Sequence, residues 1–146
     1  MDVGLYLTGY ADGEGCFCIS FNRSHRHKFG WEIRPSFSVS QNGDRAEVLV
    51  FFKERRGCGS IRPDRSDKTL KYETRYIKDL VERVIPHFER YPLLSGKRED
   101  CARFAQVCRL MYTGSHLTND GFQEIVQLAS GVNTRKRKFP LETIKL

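Results

Sequence analysis

The amino-acid sequence predicts an α+β domain of the order αββαββα, with an antiparallel sheet and extra C-terminal helices. Three observations predict it. Two stretches, 16–23 and 31–40, alternate apolar and polar residues with the period of a half-buried strand. A second pair of short strands follows a helix that Gly57-Cys58-Gly59 ends. Beyond residue 78 the pattern is that of helices. The 146 residues suit a single domain, 1–146, with one sizeable core. It is read as a first helix over 3–13, strands around one helix over 16–76, and helices plus a basic tail over 78–146.

The elements follow in order. Val3, Leu5, Tyr6, Leu7, Tyr10 and Ala11 make residues 3–13 a short apolar helix, with Asp2 as its N-cap and Gly13-Glu14-Gly15 at its end. In the first strand Phe17, Ile19 and Phe21 alternate with Cys18, Ser20 and Asn22. Ser24-His25-Arg26-His27-Lys28-Phe29 is a basic turn, and Trp31, Ile33, Phe37 and Val39 mark the inner side of the second strand. Gln41-Asn42-Gly43-Asp44 breaks that strand. Asp44 is expected to cap a helix to about Arg56, burying Val48, Leu49, Phe51 and Phe52. Ser60 to Arg65 and Leu70 to Tyr76 form a hairpin. Lys78 to Tyr91 is helical with Pro86 kinking or splitting it. Two further helices are expected from Lys97 to Tyr112 and from Thr118 to Ala129.

Composition narrows the function. Lysine and arginine number 25 against 18 acids, a net charge of +7, which favours a polyanionic partner through phosphate neutralisation and counterion release. No apolar run approaches the roughly 18–20 residues of a membrane span. No basic leader precedes an apolar segment at the N-terminus, so a soluble intracellular protein is expected. The five cysteines form no CxxC pair, which argues against structural zinc, and Cys101 and Cys108 sit seven apart as core positions of a helix. His25 and His27 lie in a basic turn, where backbone contact to DNA or plain solvation is expected. Arg55-Arg56 reads as solvated charge.

The outward strand positions are polar and mixed in sign. They include Cys18, Ser20, Asn22, Glu32, Arg34, Ser36, Ser38, Ser40, Arg62, Lys71, Glu73 and Arg75, and with Arg23 at the end of the first strand these are the candidate DNA-binding residues of the sheet. One sheet face therefore packs on helices while the other stays open and rich in hydrogen-bonding groups. Such a face suits a DNA major groove, where side chains read base edges.

The segment Leu7-Thr8-Gly9-Tyr10-Ala11-Asp12-Gly13-Glu14-Gly15 carries the chemistry. Mid-helix glycine costs up to about 1 kcal/mol relative to alanine. Two of them four apart, Gly9 and Gly13, clear one helix face for close approach of another helix. The segment resembles the LAGLIDADG motif, and the chain is similar to single-motif LAGLIDADG homing endonucleases over roughly residues 3 to 138. Gln41 and Arg45 stand where that family keeps a glutamine at the end of the second strand and a basic residue four later. Lys97, in Tyr91-Pro92-Leu93-Leu94-Ser95-Gly96-Lys97-Arg98, matches the family's loop lysine, with Arg98 one residue away as the alternative. Arg135, Lys136, Arg137 and Lys138 resemble its C-terminal DNA-backbone segment. The motif's usual final acid is aspartate, and here it is glutamate.

The resemblance implies Glu14, Gln41, Arg45 and Lys97 as catalytic residues, with the Glu14 carboxylate and the Gly13 carbonyl on Mg²⁺, for which Mn²⁺ would substitute. It implies a homodimer joined through Leu5, Thr8, Gly9, Asp12 and Gly13, since one chain has one motif and cutting two strands needs two acids. Asp12 would stabilise the helix ends there. The partner is double-stranded DNA, with neither a membrane nor a small-molecule cofactor. The expected activity is hydrolysis at a long pseudo-palindromic site, leaving short 3′ overhangs. The host compartment is a bacterial cytoplasm, a chloroplast or a mitochondrion. The alternatives are an intron RNA-binding maturase and a non-cleaving DNA-binding protein of the same fold.

Overall fold

The computed structural model describes residues 1–64, 68–132 and 144. Helix α1 spans Val3–Glu14, and Asp2 caps it by accepting from the Leu5 amide at 3.2 Å. Leu7 and Ala11 bury one side of it, and Gly15, in extended conformation, passes directly into the sheet. Strand β1 covers Gly15–Arg23 and β2 covers Trp31–Asn42, each burying every second residue over most of its length. Strands β3 (Ser60–Pro63) and β4 (Thr69–Thr74) complete an antiparallel sheet of order β1-β2-β4-β3. Its fold class and element order are those expected.

Helices cover one face of the sheet. Helix α2 spans Glu47–Arg56 and ends at Gly57, whose φ of 68° favours glycine. Asp44 does not cap it. The chain takes a single 3₁₀ turn at Gly43–Arg45 first, and the cap position falls on Ala46 with no side-chain bond. That offset also rotates Phe51 outward to 40% exposure, while Val48, Leu49 and Phe52 are buried. The helix around Pro86 is divided. A short α-helical turn, α3 (Ile77–Asp79), widens into a π-turn at Leu80–Val84, and α4 (Ile85–Arg90) starts with proline in its first turn. Proline lacks an amide hydrogen and its ring crowds the preceding turn, so a wider turn ahead of it resolves the clash. Helix α5 (Lys97–Tyr112) has the expected bounds. Thr118 caps α6 (Asn119–Ala129), accepting from the Gly121 amide at 3.0 Å.

The core lies between sheet and helices and is built on aromatic rings. Phe17 of β1 packs on Phe37 of β2 at 5.0 Å between centroids, and on Phe88 of α4 and Phe104 of α5 at 5.3 Å each. Cys101 and Cys108 are buried core residues, as expected, and burial pushes the Cys101 thiol up to about 12. Among the described residues, no helix is long and apolar enough to cross a membrane.

Candidate active site

The sheet's other face is open, and strand register decides what shares it. Cys16 lies opposite Ser38, Cys18 opposite Ser36, Ser20 opposite Arg34 and Asn22 opposite Glu32. Ser40 lies opposite Lys71, and Ser38 opposite Glu73. Cross-strand partners point the same way, so these side chains form one surface. A groove of about 530 Å³ runs over it, lined by Cys16, Cys18, Ser36, Ser38, Ser40 and Lys71, with Glu14 also in its wall.

The charges on this face are organised. Glu73 is only 8% exposed, yet it pairs with Arg62 at 2.8 Å, Lys71 at 3.5 Å and Arg75 at 3.6 Å. Burial raises its carboxyl, but the Arg62 bond and the nearby Lys71 and Arg75 charges outweigh this and hold it below the ordinary range. Three cations are thus spaced around one anion. Glu32 and Arg34 make a loose exposed pair at 3.9 Å on the open face, whereas Arg23, expected there, lies opposite Trp31 in the register and turns to that residue's side of the sheet, its guanidinium 4.6 Å from the centre of the Trp31 ring. Arg135, Lys136, Arg137 and Lys138 lie outside the described residues.

Three of the four expected catalytic side chains gather at the end of α1. Glu14 is exposed there, on the last residue of the helix. Lys97 begins α5 and donates from Nζ to the Ala11 carbonyl at 3.3 Å, placing an ammonium on the last turn before Glu14. Arg98 lines a separate cleft between α4 and α5, with Phe88 and Cys101. Gln41, near the end of β2, donates from Nε2 to the Tyr10 hydroxyl at 2.5 Å and accepts from the Asn42 amide at 2.7 Å. Both ends of its amide are held. Arg45 is exposed on the turn after β2, and among the described residues no hydrogen bond or ion pair joins it to the other three.

Tyr10 was missed from the sequence, where it counted only as an apolar helix position. It lies four residues before Glu14, hence on the same side of α1. Burial, above all, raises its hydroxyl pKa, the Gln41 bond opposes this, and the Glu14 charge adds to the rise. Asp64 is a second omission: it accepts from Ser40 Oγ at 3.0 Å and lines the groove.

Two residues assigned to the partner-facing side turn inward. Thr8 is 5% exposed; its hydroxyl donates to the Tyr91 carbonyl at 2.8 Å and pairs with His87 Nε2 at 3.1 Å. Its bonds are therefore spent inside the chain. Asp12 caps the loop before α5, accepting from the Leu94 amide at 2.7 Å and from the Ser95 amide and hydroxyl. Those bonds, the Ser95 hydroxyl first, hold its carboxyl below the ordinary range although burial works against them. The exposed stripe is Leu5, Gly9 and Gly13, spaced four apart, and a Cβ on either glycine would meet nothing within 4 Å.

The site's oxygen donors fit part of a divalent-cation site. Glu14 offers a carboxylate, and the last-turn carbonyls of α1, Gly13 among them, lie at the negative end of the helix. Oxygen donors of this kind suit Mg²⁺. Among the described residues, no three His, Cys, Asp or Glu side chains cluster to hold a metal.

Known proteins share this sequence pattern and fold. Residues 7–108 match the family model described as LAGLIDADG endonuclease. The "Probable intron-encoded endonuclease 2" of Neurospora crassa is 31% identical over 141 residues, covering 92% of this chain; the chain spans only 31% of that relative's length. Among solved structures, a homing endonuclease named I-TnaI superposes with a TM-score of 0.85 at 29% identity, covering 97% of this chain and 92% of that one. The I-SmaMI LAGLIDADG homing endonuclease bound to cleaved DNA gives 0.84 at 28% identity, covering 91% of this chain and 44% of that longer one. With the motif helix, the strand order and most of the chain in agreement, the protein belongs to the LAGLIDADG endonuclease family.

Proposed function

We propose that the chain is one catalytic unit of a site-specific, divalent-metal-dependent DNA endonuclease, and that two copies act together on double-stranded DNA. The observation that carries this reading is the gathering of Glu14, Lys97 and the Tyr10–Gln41 pair at one end of an open sheet face of mixed charge. The I-SmaMI structure, with its bound cleaved DNA, supports the same reading for a chain of similar fold.

Hydrolysis of a phosphodiester adds water to phosphorus, breaks one P–O bond and leaves negative charge on the non-bridging and leaving oxygens. A divalent ion such as Mg²⁺, or Mn²⁺ in its place, would offset that charge and acidify water. Glu14 and the Gly13 carbonyl would hold it together with the scissile phosphate and their counterparts from the second copy. Lys97 brings a fixed positive charge to the same helix end. Gln41, held at both ends of its amide, presents a preset hydrogen-bonding group to ordered water. Arg45, on the exposed turn, is positioned for the DNA backbone. No histidine is required as a base.

The Leu5–Gly9–Gly13 stripe is the contact between the copies. Its glycines let two α1 helices approach closely, which brings both Glu14 side chains to one place. Two carboxylates so close repel without a cation between them. The open faces would then read a long, near-palindromic site through the major groove, with cleavage leaving short 3′ overhangs. The fungal relative named as intron-encoded favours an organelle over a bacterial cytoplasm as the place of action.

Incubation with a plasmid library of randomised palindromes in Mg²⁺, beside Ca²⁺ and EDTA, tests the reading. Mg²⁺-dependent double-strand breaks at one sequence are expected. Specific binding without cutting in Mg²⁺ or Mn²⁺ would replace it with a non-cleaving DNA-binding protein. Binding of structured intron RNA alone would replace it with a maturase.

A further inference from the structure

Strand alternation puts Gln41 on the same side of β2 as Phe37 and Val39, both buried beneath the helices. Gln41 is half-buried there, at the end of the sheet where α1 passes. An amide at the edge of a core must have its polar groups paired, because an unpaired one costs free energy. The way in which Gln41 is paired fixes its sense as well as its place.

Which end of an amide is oxygen follows from its partners. The Asn42 backbone N–H can only donate, so the atom that meets it at 2.7 Å is Oε1. The atom that meets the Tyr10 hydroxyl at 2.5 Å is therefore Nε2, and it donates. Tyr10 must accept there, which turns its own proton away from Gln41. A chain of hydrogen bonds thus runs from the Asn42 amide through Gln41 to Tyr10, and a backbone group sets its direction. A flipped Gln41 would set N–H against N–H at Asn42, so the side chain has one sense only.

Packing does not require the Tyr10 hydroxyl. Its ring meets Phe52 of α2 edge-on, at 6.5 Å between centroids, and a phenylalanine ring would do the same. Among the described residues the hydroxyl bonds to Gln41 and to no other group. Its position on α1 gives that bond a consequence. Tyr10 lies one turn before Glu14, on the same side of the helix. Lys97 donates to the carbonyl of the next residue, Ala11. The single turn from Tyr10 to Glu14 therefore places three of the expected catalytic groups: Glu14 directly, Lys97 through a carbonyl and Gln41 through a hydroxyl.

We propose that Tyr10 is a positioning residue for DNA cleavage, its hydroxyl holding the Gln41 amide in one sense and tying the end of β2 to the helical turn that carries Glu14. This rests on the nuclease reading and adds to it the group that sets sheet and motif helix against each other at the site. Without the hydroxyl, Gln41 keeps its place on β2 but loses the partner that stops its amide from turning. A group held in one orientation accelerates a reaction that a freely turning one does not.

NMR of the whole ¹⁵N-labelled protein, with neither metal nor DNA, tests the lock. The Gln41 side-chain amide is expected to be as ordered as the backbone around it, and in Tyr10→Phe to fall to the order of an exposed glutamine. Single-turnover cleavage of the site that the plasmid library yields tests the role. Tyr10→Phe is expected to cut at least tenfold more slowly, with DNA affinity within about twofold and the thermal midpoint within a few degrees of the native protein. In a Gln41→Ala background Tyr10→Phe is expected to cause no further loss. An amide equally ordered in Tyr10→Phe, a native rate with a loosened amide, or a further tenfold loss in the double variant would overturn the proposal. A native protein that binds its site and does not cut would defeat the nuclease reading instead, and the NMR result alone would then decide whether Tyr10 holds Gln41.

Discussion

At the scale of single residues, Asp12 and His87 hold the motif helix to the rest of the chain. Asp12→Asn loses a charged acceptor for the Leu94 and Ser95 groups, and a fall in stability of about 1–2 kcal/mol is expected in urea titrations. An unchanged midpoint would return Asp12 to a role at the contact between copies. His87 supplies a pH signature. Its folded pKa is depressed from 6.5 to about 4, so below 6.5 the unfolded chain takes up a proton that the folded chain refuses. This contribution is complete above pH 6.5 and drains away as pH falls towards 4, on the order of 3 kcal/mol in all. Urea midpoints should fall over that window, and a midpoint flat from pH 7 to 5 would contradict a neutral, buried ring. Neither role was legible in the sequence. Thr8 and Asp12 occupy motif positions, and a motif says which residues recur without saying whether their bonds point outward or back. Tyr10 was hidden for a related reason: its ring belongs to the apolar side of α1, and only the fold brings Gln41 to its hydroxyl.

At the scale of elements, the sequence was most informative where one periodicity decides the outcome. The alternation of β1 and β2, the glycine stop of α2 and the bounds of α5 all follow from side-chain spacing and a few special residues. The start of α2 does not. Asp44 has a capping side chain, but the Gly43–Arg45 turn shifts the helix past it and turns Phe51 outward. The same argument gives α1 two kinds of glycine. A Cβ at Gly4 would lie 2.4 Å from the Tyr91 ring, whereas at Gly9 and Gly13 it would meet nothing. Gly4→Ala should therefore destabilise the fold itself. Gly13→Leu should leave the fold intact, because it also removes a mid-helix glycine, yet prevent two copies from associating. Sedimentation of Gly13→Leu is expected to show a folded monomer. A folded, fully associated variant would remove the stripe from the contact.

At the scale of the whole molecule, a net charge of +7 is concentrated into function by geometry that composition does not contain. Alternation placed Arg62, Lys71, Glu73 and Arg75 on one face, but only strand register shows Glu73 at the centre of three cations. Glu73→Gln removes that anion and frees the cations for phosphate. Non-specific DNA affinity is expected to rise, with a steeper salt dependence, while discrimination among sites falls. An unchanged salt slope would mean the cluster does not meet DNA. In the proposed reading Glu14, at the meeting point of motif helix, sheet and α5, performs the cleavage without being needed for binding. The measurement that tests it most directly is the behaviour of Glu14→Gln on the DNA site that the library yields. Binding within a few-fold of the native protein is expected, with double-strand cleavage lost by at least a thousandfold in Mg²⁺; cleavage at a native rate by Glu14→Gln would contradict a role for Glu14 in the reaction.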